Sequence, residues 1–378
     1  MANTKKVIIL YSTAGMGHKK AAIALFKAFQ DRGEDVEVEL IDVLEYANSL
    51  YRFLYLDFYV FLMSRARWVW GVLYYFSNIP LVDVLTRGVR GILDFRSLRG
   101  AGRMLARKAP DAIVATHFFL PSIAAILKRQ EGLRAKMYTL ITDYGPHSFW
   151  LSDHIDRFFV GSRSAGLELA ARGIPAEKID ATGIPVVEEF RKDFDAGRLR
   201  GVHGLDGKKK TIFLMSGGFG VGPIEKMLLS LNSCRADIQV IAVCGHNRRS
   251  YDNIQLLREK LDYPLILFGF TDKVAELMSV SDLMITKAGG ISVTEALDAR
   301  LPMILFASMP GQETWNERFL LGNRAAEKAG RVEDIPVIAN RILLSDDVYD
   351  ALKEGINDIR RPRAAKKIVD TVLKEIGV

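Results

Sequence analysis

The sequence predicts an α/β protein built from two Rossmann-like, doubly wound domains. Three observations predict it. Short, wholly apolar runs alternate with helical patterns along the chain. Glycine-rich loops follow directly after several of those runs. One stretch rich in glycine and charge interrupts the series near the middle. Continuous apolar runs of strand length suit a parallel sheet covered on both faces. At 378 residues the chain is also too long for one ordinary core.

In the first half, residues 7–11 (VIILY) are the first expected strand, followed by a glycine loop and a helical pattern over 21–29. Residues 36–41, 112–116, 135–142 and 157–160 supply later strands. The stretch 197–210 (GRLRGVHGLDGKKK) is poor in large apolar residues and reads as the interdomain linker. A second series follows at 211–215, 239–243, 265–268, 283–286 and 303–306, with helices between. The expected domains are therefore residues 1–197 and 205–359. The final helix, 360–378, is a candidate to return to the first.

Hydrophobic residues make up 49% and charged residues 26%, which excludes disorder. A formal charge of +7 suits an anionic partner: a phosphate ligand, nucleic acid or an acidic membrane. Two cysteines, Cys234 and Cys244, make no disulfide framework and have no metal-ligand spacing, so a reducing cytosol is expected. The start, MANTKKVIILYSTAG, is not expected to be a signal peptide.

Residues 51–76 (YRFLYLDFYVFLMSRARWVWGVLYYF) test the membrane question. Arg52, Asp57, Arg65 and Arg67 interrupt the run, so it reads as non-spanning. Its aromatics, Trp68 and Trp70 among them, fit either a membrane interface or a pair of core helices. Farther on, Arg96, Arg99, Arg103 and Arg107 fall on one stripe of an expected single helix, opposite Leu98, Ala101 and Leu105. Such a stripe is either a solvated face or an anionic-lipid contact.

Four loops have the composition to hold phosphate or sugar. The first, residues 12–18 (STAGMGH), places Gly15, Gly17 and His18 between a strand and a helix. A dinucleotide fingerprint would need a third glycine where Lys20 stands, although Asp42 ends the next strand as in NAD enzymes. The plain alternative is a tight turn. The second, 216–220, contains Gly217, Gly218, Phe219 and Gly220. The third, 282–297, runs strand, Gly289-Gly290, helix, with Glu295 expected in the first turn. There Glu295 either meets a ribose or closes a capping box with Ser292. The fourth, 310–316, offers Gln312, Glu313 and Asn316 to sugar hydroxyls, or Glu313 merely favours a helix N-terminus.

These motifs carry a resemblance. The run GFTDKVAELMSVSDLMITKAGGISVTEALDARLPMILFASMPGQETWN (269–316) resembles the monogalactosyldiacylglycerol synthase and processive diacylglycerol glucosyltransferase family. That family is related to the peptidoglycan glucosaminyltransferase. STAGMGHKKAA, TDYGPHSFW, TGIPV, LMSGGFGVG and CGHN extend the likeness over most of the chain, in order. The resemblance implies a GT-B fold, two Rossmann-like domains facing a cleft. The C-terminal domain would hold the UDP-sugar and the N-terminal domain diacylglycerol. It implies phosphate contacts at Gly217, Gly218, Gly289 and Gly290, with Phe219 and Gly220 in the same loop. Phe270 would meet uracil, Glu295 the ribose, and Gln312 with Glu313 the sugar, beside Asn316. His18 matches the family's base. Asp143 and His147, with Trp150, match an acceptor-side motif, and Asp143 is the next candidate base. Ile291 stands where the family often has Thr, and His246 where Lys is common, which leaves the donor's sugar open.

The implied reaction is an inverting transfer of a hexose from a UDP-sugar to the hydroxyl of diacylglycerol, with the UDP-sugar as substrate, no cofactor and no metal. Implied partners are diacylglycerol and anionic membrane lipids, not nucleic acid. The implied location is peripheral, on the inner face of the cell membrane. Three rivals stand beside it. A UDP-N-acetylglucosamine 2-epimerase has the same two-domain shape. An NAD oxidoreductase is disfavoured by Lys20. A catalytically idle lipid-binding protein is disfavoured by His18, Glu295 and the Gln312-Glu313 pair.

Overall fold

A computed structural model describes residues 4–13, 15–33, 36–58, 61–62, 66–130, 132–218, 220 and 222–378. The chain divides into two compact units. The first comprises residues 1–187, 310–312 and 361–378, and the second 188–309 and 313–360.

The first unit is built on a six-stranded parallel sheet: β1 (Lys5–Tyr11), β2 (Val36–Asp42), β3 (Ala112–Ala115), β4 (Lys136–Leu140), β5 (Arg157–Phe159) and β6 (Ile179–Asp180), in the order β2-β1-β3-β4-β5-β6. Val7, Ile8 and Ile9 are wholly buried, as a strand covered on both faces requires. Helix α1 (Met16–Gln30) follows β1. The order reverses between β1 and β3, which makes their C-terminal ends the topological switch point, where open α/β sheets bind ligands. Register sets the pairing there: Leu10 lies opposite Ala115, so Tyr11 and Thr116 follow side by side at the end of the sheet.

Between β2 and β3 the chain inserts helices α2 (Ser49–Phe53), α3 (Arg67–Ser77), α4 (Pro80–Ser97) and α5 (Arg99–Lys108), with a wider π-type turn at Leu54–Phe58. Arg65, one of the charges that interrupts the aromatic run, lies outside the described residues. Among the described residues no helix is long and apolar enough to cross a membrane. The arginine stripe does not ride on one helix. The helix breaks at Leu98, whose backbone is off-helical (φ −103°, ψ 19°). Asn48 N–H donates to the Ser97 carbonyl, and Gly100 packs so close to the Tyr46 carbonyl that an added Cβ would lie 2.7 Å from it. Arg96 therefore lies in the last turn of α4, while Arg99, Arg103 and Arg107 line the exposed face of α5, opposite buried Ala101 and Leu105.

Helix α4 is turned inside out. Its polar residues Asp83 and Asp94 are buried, Asp83 paired with Arg90 at 3.3 Å and Asp94 accepting from the Tyr51 hydroxyl at 2.8 Å. Its apolar stripe, Leu81, Val84, Leu85, Val89, Ile92 and Leu93, is exposed, Leu85 at 71%. Helix α3 continues this surface with Trp68 at 75%, together with Val72, Leu73 and Phe76.

The second unit repeats the architecture with β7 (Lys210–Met215), β8 (Ile238–Val243), β9 (Leu265–Phe268), β10 (Leu283–Thr286), β11 (Met303–Leu305) and β12 (Ala326–Lys328), ordered β12-β11-β10-β7-β8-β9. This is the dinucleotide-binding order, with its switch point between β7 and β10. Helix α6 (Gly290–Asp298) follows β10 and α7 (Gln312–Gly322) follows β11. The expected linker falls within the second unit: helix Ala196–Val202, N-capped by Asp195, takes up its first part, and residues 188–210 group with that unit. The last helix, Ala364–Ile376, packs on α1, and its Glu375 accepts from Tyr138 Oη and Arg157 Nε of the first sheet.

Candidate active site

At the switch point of the first unit, His18 stands in the first turn of α1. Gly15 caps that helix with its bare Cα against the His18 ring, and Gly17 precedes the histidine. The ring's Nδ1 lies 2.6 Å from the Thr116 carbonyl oxygen and 3.0 Å from Thr142 Oγ1. A carbonyl only accepts, so Nδ1 carries the hydrogen and Nε2 keeps its lone pair. Thr116 Oγ1 in turn donates to the His18 carbonyl at 2.9 Å. The ends of β1, β3 and β4 thus fix the imidazole in the tautomer a general base needs. Burial pushes its pKa down to about 4, against the Thr116 contact, so the ring is neutral at physiological pH.

A second histidine, His117, packs edge-on against His18 with ring centroids 4.6 Å apart, enclosed by Phe118 and Phe119. Burial holds its pKa well below the usual imidazole value. Neither Thr116 nor His117 stood out in the sequence. Their only signal was position, the first residues beyond a strand at the switch point. Trp150 closes the same region, buried, 6.5 Å from the His18 ring.

The structure brings Thr142, the neighbour of Asp143, to the His18 ring. His147 has another task. Its Nδ1 accepts from Phe149 N–H at 3.1 Å, so its Nε2 donates to the Tyr74 carbonyl at 3.1 Å, tying the loop after β4 to α3. Both ring nitrogens are thereby engaged inside the protein.

In the second unit the glycine loops after β7 and β8 interlock. Gly220 (φ +57°) and Gly245 (φ +56°) both need glycine, since an added Cβ would meet the Cys244 oxygen at 2.0 Å and the Gly218 oxygen at 2.2 Å. His246 N–H donates to the Gly218 carbonyl, and Asn247 Nδ2 donates to that of Gly220. Phe219 lies outside the described residues. His246 stacks on Phe270 at 4.4 Å, and Phe270 remains 59% exposed, an aromatic platform beside the glycine loops.

Gly289 is the N-cap of α6 and supplies no side-chain cap. The expected capping box is absent. The helix starts at Gly290, which leaves Ser292 inside it and Glu295 one turn further along, buried, rather than in the first turn. With glycine at the cap, no side chain accepts from the first N–H groups of α6.

Gln312 opens α7, half-buried, and groups with the first unit. Glu313 is buried with both oxygens engaged: Oε1 pairs with Lys287 Nζ and Oε2 accepts from Met309 N–H at 2.7 Å. Asn316, also buried, donates to the Ala288 carbonyl at 2.8 Å and so steadies the loop that carries Gly289 and Gly290.

Comparison with known proteins agrees with this layout. The family model of monogalactosyldiacylglycerol (MGDG) synthase matches residues 18–186, and that of the glycosyltransferase family 28 C-terminal domain matches 211–316. The processive diacylglycerol beta-glucosyltransferase of Bacillus cereus (strain AH187) is 31% identical over 386 residues, covering 99% of this chain and 95% of the relative. Its counterpart from Bacillus cytotoxicus is 30% identical over 382 residues, with the same coverage. Among solved structures, Acinetobacter baumannii MurG aligns with a TM-score of 0.62 at 16% identity, covering 98% of this chain and 99% of that one. UDP-GlcNAc 2-epimerase from Neisseria meningitidis aligns with a TM-score of 0.62 at 13% identity, covering 98% of this chain and all of that one. These neighbours establish the GT-B fold.

Proposed function

The chain belongs to the family of processive diacylglycerol beta-glucosyltransferases, and from that premise we propose that it transfers a hexose from a UDP-sugar to the free hydroxyl of diacylglycerol, making membrane glycolipid. The observation that carries this reading is the match at 31% identity over 99% of the chain. The likeness to epimerases is one of fold alone, at 13% identity. The names of the relatives favour glucose as the sugar.

The acceptor hydroxyl gives its proton to His18 Nε2 as its oxygen bonds to the anomeric carbon. The bond from that carbon to the diphosphate oxygen breaks, and UDP leaves with the electron pair. A beta product from an alpha-linked donor requires this single inverting displacement. The glycine loops of the second unit supply backbone N–H groups for the leaving charge, so the reading uses no metal and no cofactor. Asp143, next to the His18 partner Thr142, is the alternative base.

The inside-out face of α3 and α4 supports a peripheral location. A stripe of leucine, valine and isoleucine exposed over buried aspartates is stable against acyl chains rather than water. The exposed arginines of α5, with Arg96, support anionic lipid as the surface bound, and hence the inner face of the cell membrane. Mass spectrometry of diacylglycerol liposomes incubated with the protein and a panel of UDP-sugars tests the reading. A hexosyl-diacylglycerol is the expected product. Release of a free epimerised sugar with no lipid product would overturn it.

A further inference from the structure

We propose that Lys287 is the cation that binds the diphosphate of the donor, held in place by Glu313; this rests on the donor reading above and extends it to a residue that no motif had assigned. Strand register brings Lys287 to the right place. Thr286 lies opposite Met215 across the β10–β7 pair, so Lys287 and Ser216 leave the sheet together at the switch point. The Lys287 side chain then runs over the first glycine loop. A Cβ on Gly217, where φ is +68°, would sit 3.2 Å from Lys287 Cε. Two residues on, Gly289 begins the second glycine loop, and its missing Cβ would lie 3.7 Å from Glu313 Oε1, the atom that pairs with Lys287. The ammonium group therefore stands between the two loops expected to approach phosphate.

Its chemistry fits that place. An ammonium has three N–H donors, and among the described residues only Glu313 accepts from them, leaving two for a ligand. The Lys287 side chain is one-fifth exposed, open to a ligand from one side, while Glu313 is buried and anchored through its second oxygen on Met309 N–H. Backbone contacts fix the lysine further: its carbonyl accepts from Gly289 N–H at 2.8 Å. A departing diphosphate carries more than one negative charge, and backbone N–H groups supply only partial charges. A compact point charge at the switch point supplies the rest. Glu313 thereby becomes a positioning residue for the cation.

The rival is a purely structural ion pair joining the end of β10 to α7. Titration calorimetry with uridine, UMP and UDP separates the two. Lys287→Met is expected to bind UDP about tenfold to a hundredfold more weakly while uridine affinity stays as in the wild type. Lys287→Arg is expected to recover most of the loss. A Lys287→Met protein that binds UDP as tightly as the wild type overturns the assignment. Wild-type protein that binds no UDP overturns the donor reading instead. Should Lys287→Met not fold, acylation of wild-type lysines read by peptide mass spectrometry decides: UDP, and not uridine, is expected to shield Lys287. Equal labelling with and without UDP overturns the proposal.

Discussion

The imidazole of His18 shows how far one residue's role can be argued from its surroundings. The Thr116 carbonyl and Thr142 Oγ1 both face Nδ1, so the free lone pair is on Nε2. Replacing His18 by alanine should lower turnover by about 10²–10⁴-fold, the usual contribution of a positioned base. UDP affinity should be retained, because the nucleotide loops belong to the second unit. Near-normal turnover in His18→Ala would move the base assignment to Asp143. The pKa near 4 sets the pH profile: turnover should hold steady from neutral pH to about 5 and fall only as the ring protonates below that. An acid limb centred near 6.5 would mean that burial does not govern this ring. Thr142→Val, which leaves the Thr116 contact, should cost only about two- to tenfold in kcat, one neutral hydrogen bond's worth. The motif made His18 legible in the sequence. Its orienting partners were not, because they come from the ends of two other strands.

Among the elements, strands built from continuous Val and Ile runs were legible to within a residue or two. The two strands that escaped were Ile179–Asp180, only two residues long, and Ala326–Lys328, which has no apolar run. Both lie at sheet edges, where one-sided cover removes the continuous hydrophobic signal. Helix α4 is the deeper case. Its periodicity marks an amphipathic helix, but the pattern cannot say which face turns inward, and here the buried face holds Asp83, Arg90 and Asp94. Inside, Asp83 pairs with Arg90 and Asp94 Oδ1 accepts from Tyr51, and the leucines are left outside. This yields a two-part prediction for vesicle binding. Leu85→Glu should weaken binding to neutral and anionic vesicles alike, roughly tenfold or more, with no loss in melting temperature. Arg99→Ala with Arg103→Ala should weaken binding only to anionic vesicles, and salt should mimic that loss. Equal vesicle binding by Leu85→Glu and wild type would remove α4 from the membrane contact.

Across the whole molecule, the first unit concentrates buried neutral histidines. Burial brings His18 and His147 down to about 4 and keeps His117 well below its ordinary value. In the unfolded chain the same imidazoles take up protons near 6.5. As pH falls from 6.5 toward 4, the unfolded state therefore binds protons before the folded state does. Stability from these residues is complete above 6.5 and is lost progressively across that window. Buried Asp94 and Asp298, whose pKa values burial raises, act in the opposite sense, so the raw pH slope of the wild type mixes the two effects. A substitution isolates the histidine. His147→Gln keeps a side-chain donor within reach of the Tyr74 carbonyl but cannot be protonated. For His147 the shift corresponds to about 3 kcal/mol between the ends of the window. Thermal or urea unfolding followed from pH 7 to pH 4 should thus show wild type losing stability more steeply than His147→Gln, with the gap between them narrowing or reversing in acid. Parallel curves for the two proteins would mean that His147 takes up its proton in the folded state as readily as in the unfolded one. Burial would then not be what holds that ring neutral.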